Sequence, residues 1–277
     1  MLDTERIFTF IRIPGRTTKP RKMGVTMVSG GDYWLAVAGA HWIEDLVEWG
    51  AQWIDYYKVG EPMIYQPRAL VLKKLAILKK HGIQPYAGGN TMEAAIHQRC
   101  VEPYLDELQE LGINTMEVSS TVLSLNIEEK VKFIEKAKAR GFTVFAEIGK
   151  KLIGAGGPEG RMPTTEVIGE MKDCLSAGAF KVVYEHTEIE QLRTEEEGLS
   201  RLTEVANAVG VENLLFEVPH GDWHYVAPYA AFYVLHFGSN VNIGDVEPAQ
   251  VMAMETVRGG LSARTLGKVP LPSEGTN

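Results

Sequence analysis

The chain has 277 residues, 45% hydrophobic and 23% charged, with a formal net charge of −8. Those proportions exclude wholesale disorder and allow a sizeable buried core. The acidic balance excludes a non-specific binder of nucleic acid or anionic membrane, which needs a basic face, but leaves a small anionic substrate open because lysines act locally.

Cys100 and Cys174 are the only cysteines, too few for a disulfide framework or a cysteine-based zinc site. Residues 1–22 mix charges with apolar residues and lack the apolar stretch of a signal peptide. No apolar run reaches the ~18 residues of a membrane span. The expectation is a cytoplasmic protein with neither nucleic acid nor membrane as partner.

Apolar runs of strand length alternate with helical patterns along the chain, the mark of repeated βα units and a parallel sheet. The expected strands are 22–29, 54–60, 84–88, 115–119, 143–149, 181–186, 214–219 and 241–246. Amphipathic segments such as 68–81, 128–140 and 194–209 fall between them. Ile127, Val131, Ile134 and Ala137 recur at helical spacing, as in a helix laid on the outside of a barrel. Gly82, Gly112, Gly141 and Gly178 each stand where a helix ends before the next strand. With no linker-like break, the pattern predicts a single (β/α)8 TIM barrel over residues 1–277, with 1–21 as an N-terminal extension and 269–277 as a flexible tail. A doubly wound open sheet is the alternative, but no Gly-x-Gly-x-x-Gly follows a strand. Residues 151–165 are glycine-rich and longer than a usual βα loop, as a mobile lid would be.

Catalytic groups of such barrels come from the C-terminal ends of strands. Lys58 ends the second strand, Gly88-Gly89-Asn90 follows the third with Glu93 beyond, and Glu117 and Ser119 end the fourth. Glu147, Lys150 and Lys151 end the fifth, Glu185 and His186 the sixth, Glu217 and His220 the seventh, and Asn242 belongs to the eighth. Four glutamates, each behind an apolar run, repel one another unless a cation or protons intervene. Hard oxygen ligands with few histidines suit Mg²⁺. Glu117, Glu147, Glu185 and Glu217 are therefore the candidate metal ligands, some of them expected to pair with Lys58, Lys150 or Lys151 instead. A partly desolvated lysine among carboxylates serves as proton donor or as clamp for an anion. Gly88 and Gly89 form either a backbone cradle for an oxyanion or a plain tight turn. His220, Asp222 and His224 have a spacing outside the usual transition-metal motifs.

Several segments together resemble a known family. They are Lys19-Pro20-Arg21 leading to Gly24-Val25-Thr26, then Asp55 to Gly60, Gly82 to Gly89 with Glu93, and Met116 to Ser119. Ala146 to Lys151, Phe216 to Pro219, Phe237 to Asn242 and Glu255 to Thr265 complete the set, which spans roughly residues 19–269. In this order and spacing the chain resembles the phosphosulfolactate synthases of coenzyme M biosynthesis, a family that also includes bacterial relatives and a plant heat-stress-associated protein. The resemblance implies a (β/α)8 barrel that adds sulfite to phosphoenolpyruvate with Mg²⁺. Lys150 or Lys151 would then protonate C2 with Lys58 assisting; Lys19, Arg21, Gly88, Gly89, Ser119, His186, His220 and Asn242 are this chain's candidate substrate contacts. A homo-oligomer is expected on the same ground.

The chain departs from the family pattern at groups that hold substrate. Ser29-Gly30-Gly31 precedes Asp32 where an aspartate is expected earlier, and Glu61-Pro62-Met63 replaces Trp-Gly-Thr. Ser120-Thr121 replaces an acidic-glycine pair, His186-Thr187 stands in place of an arginine after Glu185, and 220–225 replaces a glutamine-rich run. The alternatives are thus the same frame acting on another enolate-forming carboxylate or nucleophile, or a non-catalytic, stress-associated barrel.

Overall fold

The computed structural model describes residues 7–29, 38–123, 125–151 and 160–272. Eight parallel strands close into a barrel in chain order: β1 (Thr26–Ser29), β2 (Tyr56–Val59), β3 (Gln84–Ala87), β4 (Thr115–Val118), β5 (Thr143–Ile148), β6 (Lys181–Tyr184), β7 (Leu214–Glu217) and β8 (Ile243–Val246). Each lies inside its expected span. The fold is a single (β/α)8 barrel, and the open-sheet alternative falls because β1 pairs with β8.

Period-2 alternation sorts the side chains. On β5, Val144, Ala146 and Ile148 join the large core between barrel and helices, whereas Phe145 points into the barrel. Phe145 meets Met27, Tyr86, Val183 and Leu215 in that inner layer. Two residues beyond the inner layer, on the same face, come Lys58, Glu117, Glu147, Glu185 and Glu217. The apolar plug therefore sets the depth at which the polar groups stand.

β8 breaks this rule. Thr26 pairs with Ile243, but Val28 pairs with Val246, so two residues of β1 face three of β8. This bulge puts Asp245 at φ +55° and re-aims its side chain toward the barrel mouth. Gly244 makes room beside it, since a Cβ there would run into Leu215 and come within 3.0 Å of Met27 Cε.

Helices cover the outside. The helix Ile127–Ala139 opens with a capping box between Asn126 and Glu129 and buries Ile134 and Ala137 on the sheet. Its Lys130, also buried, donates to the Glu147 carbonyl and ion-pairs with Glu170 at 2.6 Å. Gly141 follows with φ +87°, the left-handed turn expected there. No helix among the described residues is long and apolar enough to cross a membrane. Asp32, most of the expected lid (152–159) and residues 273–277 of the expected tail lie outside the described residues.

Candidate active site

Five acids converge on the C-terminal mouth: Glu117, Glu147, Glu185, Glu217 and Asp245, all buried. At their centre is Lys58, whose Nζ lies 3.1 Å from Asp245 Oδ1, 3.3 Å from Glu217 Oε1 and 3.5 Å from Glu117 Oε2. Burial works against its charge, but Asp245, Glu117 and Glu217 outweigh it and hold the ammonium well above the usual lysine range. Lys58 is thus a fixed cation at neutral pH.

The carboxylates divide by environment. Burial and the Glu147 charge push Glu117 up to about 7. Its Oε2 accepts from Tyr86 Oη, and its Oε1 accepts from the Gly89 N–H at 2.9 Å. Burial and Asp245 likewise raise Glu217. For Glu147 the burial penalty is overcome by Lys151 and Lys58, which bring it down to about 2. Asp245 is depressed as well, with Lys58 and His220 overriding its burial. Two acids are therefore tuned to keep protons and two to stay ionised.

Lys151 reaches the cavity. Its Nζ lies 3.4 Å from Glu147 Oε1 and donates to Asn90 Oδ1 at 3.3 Å. Burial opposes its charge, and Glu147 raises it above the ordinary lysine value. Lys150, the other expected donor, turns away. Its Nζ donates to the Ser120 carbonyl at 2.8 Å and its N–H to Glu188 Oε1 at 3.0 Å. The chain bends at Gly149, with φ +124°, so strand alternation no longer decides which lysine faces inward.

Other expected residues separate in the same way. A cavity of about 220 Å³ is lined by Lys58, Gly88, Gly89, Lys151, His186 and His220, together with Glu185 and Asp245. Gly89 must be glycine, because a Cβ would crowd Ser119 and come within 2.6 Å of Glu117 Oε1. Ser119 faces carboxylates instead of the cavity, its Oγ 2.6 Å from Glu93 Oε1 and 2.7 Å from Glu147 Oε2. Glu93 accepts the Thr121 N–H at 3.0 Å and the Val122 N–H at 3.1 Å, and so holds the turn after β4.

Three expected substrate contacts lie at the other end of the barrel, by the N-terminal ends of the strands. Lys19 donates to the carbonyls of Ala51 and Ile54, and Arg21 pairs with Asp55 at 3.0 Å. Asn242 accepts the Val25 N–H and donates to the Leu214 carbonyl. These contacts tie the N-terminal segment and β8 to the barrel floor, away from the five acids.

His186 and His220 meet edge to face at 5.8 Å. His220 Nε2 lies 3.5 Å from Asp245 Oδ2, and its Nδ1 lies 3.3 Å from Glu247 Oε1. Glu247 raises the His220 ring against the effect of burial. Burial works against a charged His186, but Glu185 and Asp245 outweigh it.

Two trios offer metal-ligand atoms within 4.8 Å of one another: Glu117, Glu147 and Glu217, and Glu185, His186 and Glu217. In the first, Glu117 and Glu217 already pair with Lys58, and Glu147 pairs with Lys151. In the second, Glu185 Oε2 and Glu217 Oε2 are buried without a hydrogen-bond partner, and His186 Nδ1 stands 2.8 Å from Glu185 Oε1. A divalent ion fits that second trio.

Asp245 and Tyr86 are the site residues not expected from sequence. Tyr86 sits inside a strand and carried no strand-end signal. Asp245 is a strand-end acid like the others, and a bulge hides it from alternation.

A closed barrel with an acid–lysine cluster in its C-terminal mouth defines a barrel enzyme. The family model for (2R)-phospho-3-sulfolactate synthase (ComA) matches residues 14–264. The chain belongs to that family. It is 31% identical over 269 residues to phosphosulfolactate synthase of Methanothermobacter thermautotrophicus, covering 93% of this chain and 97% of that one. With phosphosulfolactate synthase of Methanocaldococcus jannaschii it shares 29% over 233 residues, 82% of this chain and 89% of that one. The carboxyl transferase domain of Rhizobium etli pyruvate carboxylase superposes with a TM-score of 0.53 at 10% identity, covering 92% of this chain and 50% of that one, a likeness of fold alone.

Proposed function

We propose that the protein adds sulfite to phosphoenolpyruvate, assisted by a divalent ion, to give phosphosulfolactate. The observation that carries the reading is the Lys151 ammonium, facing a cavity that a second fixed ammonium and two histidines also line. Sulfite forms a C–S bond at C3 as the C2–C3 π bond breaks, and the electron pair moves to C2 and into the carboxylate. Lys58 and Lys151 stabilise that enolate-like charge from fixed positions. Lys151 then delivers a proton to C2. Its raised affinity for a proton keeps it loaded at neutral pH, and an enolate is far more basic than an amine, so the transfer runs downhill. His186 and His220 supply donors for the phosphate, the role that an arginine would otherwise fill.

Mg²⁺ is the ion the family resemblance suggests, and Glu185 and Glu217 would hold it with His186 beside them. When bound, it supplies Lewis-acid stabilisation of the developing carboxylate charge. Glu117 and Glu147 remain partners of the lysines, Tyr86, Ser119 and the Gly89 N–H.

Sulfite consumption dependent on phosphoenolpyruvate and Mg²⁺ tests the reading. The wild type is expected to consume sulfite, and Lys151→Met to lose at least about 100-fold. Wild-type protein inactive with both substrates and metal would defeat it. A second reading rests on His186 in place of the family's arginine: the same enolate chemistry on a carboxylate without phosphate. It predicts Lys151-dependent exchange of a substrate C–H proton with solvent and no loss of sulfite.

A further inference from the structure

The two carboxylate trios at the mouth share Glu217 but differ in what already satisfies them. Around Glu117 and Glu147 stand Lys58, Tyr86, the Gly89 N–H, Ser119 and Lys151. The β6 side is less well supplied. Glu185 and Glu217 are 0% and 1% exposed, yet each has one carboxylate oxygen with no hydrogen bond. A buried polar atom left unpaired costs about 1–3 kcal/mol, so two together call for an explanation.

The imidazole sharpens the point. His186 Nδ1 stands 2.8 Å from Glu185 Oε1 and 4.0 Å from Glu217 Oε2. The first contact is an ion pair when the ring is charged, and a neutral ring protonated on Nε2 leaves Nδ1 as a free lone pair. Glu185 Oε1 is also engaged by Thr187, whose Oγ1 donates at 3.2 Å. Donor atoms bound about 2.1 Å from one ion stand about 3.0 Å apart at right angles and about 3.4 Å apart at the tetrahedral angle. The ligand atoms of the trio all lie within 4.8 Å of one another, near that range.

Building on the metal-assisted reading above, we propose that Glu185, His186 and Glu217 form a mixed nitrogen–oxygen site that takes a first-row divalent transition ion in preference to Mg²⁺. Mg²⁺ binds hard oxygen donors and sheds water reluctantly, whereas imidazole nitrogen favours the transition series. Glu217 divides its roles, with Oε1 to Lys58 and Oε2 free for the ion. Lys58 cannot serve both trios, because its Nζ is already shared among Glu117, Glu217 and Asp245.

The test uses full-length protein stripped by a chelator and titrated calorimetrically with Co²⁺ and with Mg²⁺. Co²⁺ is expected to bind at least about tenfold tighter than Mg²⁺ and to develop a visible absorption band. His186→Gln should weaken Co²⁺ about tenfold or more, alter the band and leave Mg²⁺ nearly unchanged. On the wild type itself, pulsed electron paramagnetic resonance of bound Mn²⁺ should detect a directly coordinated nitrogen, so the inference stays testable even if the variant folds poorly. Equal affinity for both ions, an indifferent His186→Gln or no nitrogen coupling refutes the mixed site and leaves the metal-assisted reading standing. If neither ion binds the wild type, that reading falls as well.

Discussion

Lys58→Met isolates the part of the site that is a folding problem as much as a catalytic one. The Lys58 ammonium lies 3.1–3.5 Å from three carboxylates that are nearly inaccessible to solvent. Methionine fills similar space, so little cavity is made. The penalty comes from leaving buried carboxylates without their cation, about 3–5 kcal/mol when one partner of a buried ion pair is removed. The loss must depend on pH. Asp245 is held below its ordinary range partly by Lys58. Without that cation it takes up a proton more readily, which relieves the penalty in acid. Urea unfolding of chelator-treated protein should show a loss near 4 kcal/mol at pH 8, shrinking to about 1–2 kcal/mol at pH 5. A variant as stable as wild type at pH 8, or one that loses more at pH 5 than at pH 8, would refute the account of the cluster.

Lys150→Ala should keep sulfite consumption within about threefold, while Lys151→Ala loses at least about 100-fold, because only Lys151 faces the cavity; steady-state assay of the two side by side decides. Gly89→Ala should lower the urea midpoint by the equivalent of about 1–3 kcal/mol and impair turnover, since the new methyl displaces Ser119 or Glu117; an unchanged midpoint with full activity would speak against the close approach. Burial lifts both Glu117 and Glu188 to about 7, against ~4.3 in the unfolded chain. Between those values the folded state keeps protons that the unfolded chain has released. The stability they confer is therefore complete below about pH 4.3 and is lost as pH rises through about 7, at up to ~1.4 kcal/mol per pH unit for each group. The urea midpoint of metal-free protein should accordingly fall between pH 5 and pH 8, and a rising midpoint would contradict the assignment.

Much of this architecture is legible in the sequence. The inner faces of β4, β5 and β7 follow strict alternation, so Glu117, Glu147 and Glu217 meet where counting residues puts them. Glu185, one step past β6, keeps the same phase. Legibility fails where the backbone leaves that period. The bulge in β8 brings Asp245 inward although counting from Asn242 puts it on the outer face. The turn at Gly149 uncouples Lys150 and Lys151 from β5, and only packing against Ser120 and Asn90 sorts them. Lys19, Arg21 and Asn242 all stand in family motifs, and motifs record structural as well as chemical constraint. Their partners are backbone groups and Asp55 at the barrel floor, where they hold the fold together. Tyr86 shows the converse: a tyrosine within an apolar strand reads as core, and only the distant Glu117 makes it part of the site.

The most direct measurement follows the reacting carbon itself. Metal-loaded protein is incubated with phosphoenolpyruvate and sulfite in D₂O, and the products are read by ¹H and ³¹P nuclear magnetic resonance. Formation of a C–S bond at C3 with protonation at C2 predicts phosphosulfolactate carrying one deuteron at C2, formed by the wild type and not by Lys151→Met. Unchanged phosphoenolpyruvate after prolonged incubation with active-folded protein, or product formed equally well by the Lys151 variant, would contradict it.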